Sequence, residues 1–267
     1  MVRGYKKSKN DTGMDLWRIS GAVKRTFAEA NFNEKAVKRM KKYCVIALLL
    51  LQFSAGISFA AMNPFELAEK GTLKQIQTAI SKGVKMKQSD EGYTPLHLAA
   101  RSNPDPKVIK LLVKNGLNAN AESRKGHTPL MEAVGGNNLN VVRALIDAGA
   151  DVNAIDGEFG LTVLHHAVMN PDTGVIRLLV KSGAKLNKKS EVDVDFENEE
   201  SVSPTEETPL SHAVRYNLPA VVEVLLDLGA DPKIRDSQGK RPLDYAMKVK
   251  NFTKTNAYKK LAQATNK

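Results

Sequence analysis

Apolar residues recur along this chain in two alternating patterns. One is a run such as Val141, Val142, Leu145 and Ile146, whose steps of three and four lay a single apolar stripe along a helix. The other is shorter and uses small residues, as in Leu96, Ala99 and Ala100, and predicts a brief helix that neighbours approach closely. The short pattern recurs as GYTPLHLAA at Gly92–Ala100, GHTPLMEAV at Gly126–Val134, GLTVLHHAV at Gly160–Val168, ETPLSHAV at Glu207–Val214 and GKRPLDYAM at Gly239–Met247. The long one closes on glycine in LLVKNG, LIDAGAD, LLVKSGA and LLDLGAD, at Gly116, Gly149, Gly183 and Gly229, with Gly83 after TAISK one unit earlier. Successive glycines lie 33, 33, 34 and 46 residues apart, a period near 33 with one insertion.

Each unit carries its own punctuation. Thr94, Thr128, Thr162 and Thr208 stand where a hydroxyl caps a helix start, and the proline that usually follows suits a first helical position with no use for its N–H. Glycine after the second helix takes the left-handed conformation that ends it. No unit can enclose its own apolar face, so the units must stack into a solenoid. These motifs resemble the ankyrin-repeat family over about Asn63–Gln263. The resemblance implies a mainly α solenoid of about six helix-turn-helix units with β-hairpin-like loops, spanning 63–263. The units fall at 63–87, 88–120, 121–154, 155–188, 208–234 and 235–263, with an acidic insertion at 189–207. The first and last are atypical, with Lys74, Gln75 and Gln77, then Lys248, Lys250, Lys254, Lys259 and Lys260, as suits caps facing water. Val163 in place of proline, Arg241 in place of threonine and Asn-Pro-Asp-Pro at Asn103–Pro106 depart from the pattern, and local helix starts or turns are expected to be weaker there.

Ahead of the repeats, Met40 to Ala60 reads as a secretory signal. Lys41 and Lys42 supply positive charge, Val45–Leu51 an apolar run, and Ser58-Phe59-Ala60 small residues for a cut between Ala60 and Ala61. Gln52, Ser54, Gly56 and Ser58 dilute the second half, which favours a cleaved signal over an anchor. A membrane contact would arise only through residues 43–62 if cleavage failed. Residues 1–39 form a basic extension that is either an upstream reading of a chain started at Met40 or a long cytoplasmic leader. The only cysteine, Cys44, leaves with the signal, which suits an oxidising compartment. The formal charge of +11 owes +8 to residues 1–42, so the remainder is nearly neutral and nucleic-acid binding is not expected.

Candidate chemistry is sparse. His97 and His165 occupy the fourth position of the repeat motif, where the resemblance implies a structural ring bonded to backbone between units. His166 and His212 share the next position and could face each other across a unit boundary, but without a cysteine or placed carboxylate they make no zinc site. No nucleophile elbow, phosphate-binding glycine loop or H-E-x-x-H sequence occurs, so neither an enzyme nor a cofactor is expected. The insertion holds eight acidic residues in Glu191–Glu207 and reads as a solvated loop. Two alternatives stand: a contact arm for a basic partner, with Val192, Val194 and Phe196 along one edge, or a calcium loop begun by Asp193 and Asp195 but with Asn198 where its glycine belongs.

The resemblance also implies a protein partner, met by the fingertips and the exposed residues of the short helices. Carried onto this chain, those positions are Asp90, Glu91, Tyr93, Arg101, Arg124, Lys125, His127, Glu158, Phe159, Leu161, Met169, Arg215 and Tyr216. The expectation is a monomeric, non-enzymatic interaction protein of the bacterial periplasm, a scaffold or accessory protein. A secreted effector that binds a host protein is the alternative, and an enzyme with an unrecognised site a distant third.

Overall fold

In a computed structural model of the chain, the structure describes residues 63–136, 138–170, 172–191 and 206–266. The signal, the basic extension and residues 192–205 of the insertion, including the calcium-like pair, lie outside the described residues. Among the described residues no helix is long and apolar enough to cross a membrane. Twelve α-helices appear there, in pairs: α1 Pro64–Lys70 and α2 Leu73–Ser81; α3 Pro95–Ser102 and α4 Pro106–Lys114; α5 Pro129–Gly135 and α6 Leu139–Asp147; α7 Val163–Val168 and α8 Thr173–Lys181; α9 Pro209–Arg215 and α10 Pro219–Asp227; α11 Pro242–Ala246 and α12 Asn256–Asn266. A 3-10 turn at Phe252–Lys254 joins the last pair.

Short helices stack on short helices and long on long. The row α1, α3, α5, α7, α9, α11 and the row α2, α4, α6, α8, α10, α12 each pack in sequence, and each unit's two helices pack on each other. The apolar stripes read from the sequence fill the space between the rows: Val108, Ile109 and Leu112, then Val141, Val142 and Leu145, then Val175, Ile176 and Leu179, then Val221, Val222 and Leu225. Leu96, Leu130, Leu164 and Leu210 meet them from the short helices. This is the all-α solenoid expected, one continuous core made of adjoining slices.

The irregular units keep their helix starts by substitution. Asn63 takes the threonine's place in the first unit, its side chain accepting from the Phe65 N–H at 2.9 Å. At Arg241 the cap works from the other side, Asp244 accepting from the Arg241 backbone N–H at 2.8 Å. At Val163 the cap is not lost, because Thr162 still accepts from His165 N–H at 3.4 Å. Nor does Asn103–Pro106 loosen its turn. Asn103 is buried and donates to Ala68 O and Gly71 O of the preceding unit at 2.9 and 3.0 Å. Asn170 does the same to Val134 O at 2.6 Å. The helix starts at Val163 and Arg241 are kept, but α7 and α11, of six and five residues, are the shortest α-helices described, in line with the weaker starts expected; at Asn103–Pro106 the asparagine acts as a tie.

The second to sixth units each open on a hairpin finger, numbered with its unit and closed by a backbone bond: Ser89 N–H to Tyr93 O, Ser123 to His127, Asp156 to Leu161, Ser190 to Glu207 and Asp236 to Lys240, all at 2.7–2.9 Å. The Ser190–Glu207 pair shows that the acidic insertion lengthens the fifth fingertip itself. Neighbouring fingers are also bonded, Arg124 N–H to Glu91 O at 2.9 Å, Gly157 to Lys125 O at 2.8 Å and Glu191 to Gly160 O at 2.8 Å. Close approach dictates glycine most strictly at Gly160. A Cβ on Gly160 would lie 1.0 Å from Glu191 O, whereas one on Gly239 in the last finger meets nothing within 4 Å. Both have positive φ, so alanine is strained at either, by about 1–2 kcal/mol. We expect Gly239→Ala to lose about that much in urea unfolding and Gly160→Ala at least about 1 kcal/mol more, since the fourth and fifth fingers must part.

Candidate functional site

One face of the short-helix row brings histidines, carboxylates and tyrosines into contact. The fifth position of each repeat motif, Leu98, Glu132, His166, His212 and Tyr245, points beside the fingertip arm residues Tyr93, His127, Leu161, Glu207 and Lys240. Each helix start fixes this position, because the residue before it turns inward. His97 is fully buried, with Nδ1 accepting the Thr94 N–H at 3.0 Å and Nε2 donating to His127 O of the next unit at 3.0 Å. His165 repeats the arrangement, reaching Glu207 O at 2.9 Å across the insertion. Burial lowers both rings, His165 to about 4, so both are neutral struts. The structural role inferred from the motif holds for both.

His166 and His212 do not face each other. His166 donates from Nε2 to Asp156 Oδ2 at 2.8 Å and crosses His127 edge-on, ring centres 5.5 Å apart. His212 lies against the Glu207 carboxylate, at 2.5 Å, with its ring 5.7 Å from that of His165. The pairing that their shared position allowed is not formed, because each fifth-position side chain meets the finger beside it. The fingers also supply the placed carboxylates that the sequence reading lacked, Asp156 and Glu207.

Of the partner-binding candidates, several bind one another. Lys125 meets Glu158 at 2.8 Å between adjacent fingertips. The Tyr93 hydroxyl donates to Glu132 at 3.2 Å, and His127 approaches the same oxygen at 3.5 Å. Burial works to raise Glu132, but His127, Arg101 and Tyr93 outweigh it and hold the carboxyl below its usual range. His127 is raised in return, chiefly by its bond to Glu132. Leu161 is half-buried, and Arg215 reaches Glu207 at 2.9 Å and covers the Tyr245 ring at 5.6 Å. Exposed are Asp90, Glu91, Arg101, Arg124, Phe159, Met169 and Tyr216. Met169 and Tyr216 each follow a short helix, and Met247 stands at the same place one unit on, also more than half exposed. Sequence reasoning passed over Glu132, Asp156, Glu207, Tyr245 and Met247; their shared signal is recurrence at fixed places in the repeat.

Stacked helical repeats with exposed fingertips and a lined short-helix face define a protein-binding scaffold. A family model described as Ankyrin repeats (3 copies) matches residues 65–156, 109–190 and 155–236. The chain belongs to the ankyrin-repeat family, whose members are in general interaction modules without catalysis. Among similar proteins, Ankyrin repeat protein nuc-2 of Neurospora crassa is 33% identical over 95 residues, 35% of this chain and 9% of that protein. Putative ankyrin repeat protein FPV022 of Fowlpox virus is 30% identical over 141 residues, 53% of this chain and 21% of its own length. The chain thus spans about a tenth and about a fifth of these curated relatives. A solved structure, the predatory endopeptidase Bd0816 of Bdellovibrio bacteriovorus in complex with immunity protein Bd3460, contains a chain similar at TM-score 0.60 and 26% identity, over 75% of this chain and 96% of that one.

Glu207 gives this face a pH dependence. Burial works to raise its carboxyl, but His212 and Arg215 prevail and hold it below the ordinary 4.5. The unfolded chain therefore binds this proton first, so the stabilisation is complete above 4.5 and is lost as the pH falls through the folded value. Urea unfolding at a series of pH values should show this loss. In Glu207→Gln that share of the slope should vanish, with about 1–3 kcal/mol already lost at neutral pH.

Proposed function

We propose that the chain is exported to a bacterial periplasm and works there, as a monomer and without catalysis, as a scaffold or accessory protein holding one other protein. The observation that carries the binding role is the set of large apolar side chains outside the core: Phe159, Met169, Tyr216 and Met247, each more than half exposed. Of the four, Tyr216 also rests on the His212 ring, the centres 4.7 Å apart. Among the described residues no buried side-chain nitrogen or oxygen lacks a partner, so the stack is complete without help. Exposed aromatic and methionine side chains beside Arg215 are the types that anchor interfaces.

Export is supported by Met40–Ala60 and by a chain free of cysteine after Cys44. The similar chain in the endopeptidase–immunity protein complex belongs to a two-protein assembly that pairs an enzyme with its immunity protein. An enzyme of the same compartment is accordingly the partner class to try first.

Two measurements test this reading. Intact mass from fractionated cells should give a soluble periplasmic chain beginning near Ala61; recovery from the medium favours the secreted effector, and an uncut cytoplasmic chain ends the export reading. In partner capture, Phe159→Ala and Tyr216→Ala should each weaken retention about tenfold, the effect of losing an interface anchor. Unchanged capture by both would remove these residues from the site.

A further inference from the structure

His127, Asp156 and His166 converge at the boundary between the third and fourth units. One ring nitrogen from each histidine and one carboxylate oxygen all lie within 4.8 Å of one another. We propose that they bind one divalent transition-metal ion, zinc by preference, and that the ion staples the two units together. The three residues come from separate segments: His127 from the third finger, Asp156 from the fourth and His166 from α7. Their convergence is therefore a product of stacking and not the chance geometry of one loop.

The surroundings hold each group as a ligand. The Asp156 side chain is fully enclosed, and its Oδ1 accepts the Phe159 and Glu158 N–H groups at 2.7 and 3.2 Å, which leaves Oδ2 turned to His166. Glu132, itself steadied by the Tyr93 hydroxyl, lies 3.5 Å from His127 Nδ1. With its proton on that nitrogen, His127 offers Nε2, the outer carboxylate fixing the ring as it does around many metal-bound histidines. Zinc ligands sit about 2.0–2.2 Å from the metal, which sets nitrogens and oxygens about 3.3 Å apart in a tetrahedron. The 2.8 Å contact of His166 with Asp156 must open slightly and the wider separation must close, movements available to two partly exposed imidazoles.

Ligand chemistry selects the metal class. Two imidazoles and one carboxylate suit zinc, cobalt, nickel or copper, while a single carboxylate oxygen is too few for calcium or magnesium. On binding, the His166 Nε2–H bond to Asp156 gives way to two metal bonds. The neutral ring then carries its proton on Nδ1, and an imidazolium releases one proton to solvent. A water fills the fourth position. Since the ligands belong to two units, the ion opposes separation of the stack at that boundary.

The test titrates zinc chloride into the full chain against a chromophoric zinc chelator, with cobalt(II) absorption as a second readout. One zinc per chain, visible cobalt bands of a tetrahedral nitrogen and oxygen site, and a raised Tm are expected. His127→Gln and His166→Gln, checked for folding by circular dichroism, should each weaken binding at least about tenfold. If the double variant binds as well as the original chain, or the original chain takes up no stoichiometric zinc, the site does not exist. Imidazole NMR of the unaltered chain decides the matter without substitutions. Zinc should shift the rings of His127 and His166, and shifts confined to His97, His165 and His212 would overturn the assignment.

Discussion

Everything in this molecule depends on polar groups of one unit being satisfied by the next. His97 closes its own helix start with one nitrogen and the neighbouring finger with the other, a double engagement that requires a neutral ring buried in place. His165 does the same over a much longer stretch of chain. Asparagines add a second set of ties: Asn120 bonds Gly149 O and Asp151 N–H, and Asn153 bonds Gly183 O and Lys185 N–H. Asn187 continues the series at Asp231 N–H. Removing any one unit would strand donors and acceptors on both neighbours, so hydrogen bonding enforces the stacking that the apolar stripes drive.

The frame was legible because its constraints are periodic. Threonine, proline, small residues and closing glycine recur near every 33 residues, and each has a physical duty that hardly varies between units. The asparagine ladder was equally periodic, at Asn120, Asn153 and Asn187, but an asparagine in a loop has too many ordinary uses to stand out. Helix starts that looked damaged were preserved by a compensating neighbour, as Asp244 does for Arg241. Such exchanges between partners are invisible to a motif read one position at a time.

The chemical face was less legible, for a geometric reason. A fifth-position side chain meets a finger that begins several residues earlier, so its partner depends on how the hairpin folds over the helix. His166 thus falls to Asp156 and His127, and His212 to Glu207. Candidates chosen for exposure divided accordingly. Lys125, Glu158, Tyr93 and His127 turn out to brace the fingers, while Phe159 and Met169 stand exposed and Tyr216, also exposed, leans one side of its ring on His212.

The fifth fingertip has a different lesson. Ser190 N–H meets Glu207 O at 2.9 Å and Ser190 Oγ receives the Glu207 N–H at 3.1 Å, the same stem that closes the ordinary fingers. Glu207 then fastens that stem to His165, His212 and Arg215. With the stem held at both ends, and Glu191 tied to Gly160 O beside it, added length in the segment it closes costs little, since each doubling of a loop's length costs only about 0.6 kcal/mol. In evolutionary terms the position is a socket: new sequence can be tried there, lengthened or discarded, while the repeats on either side register no change.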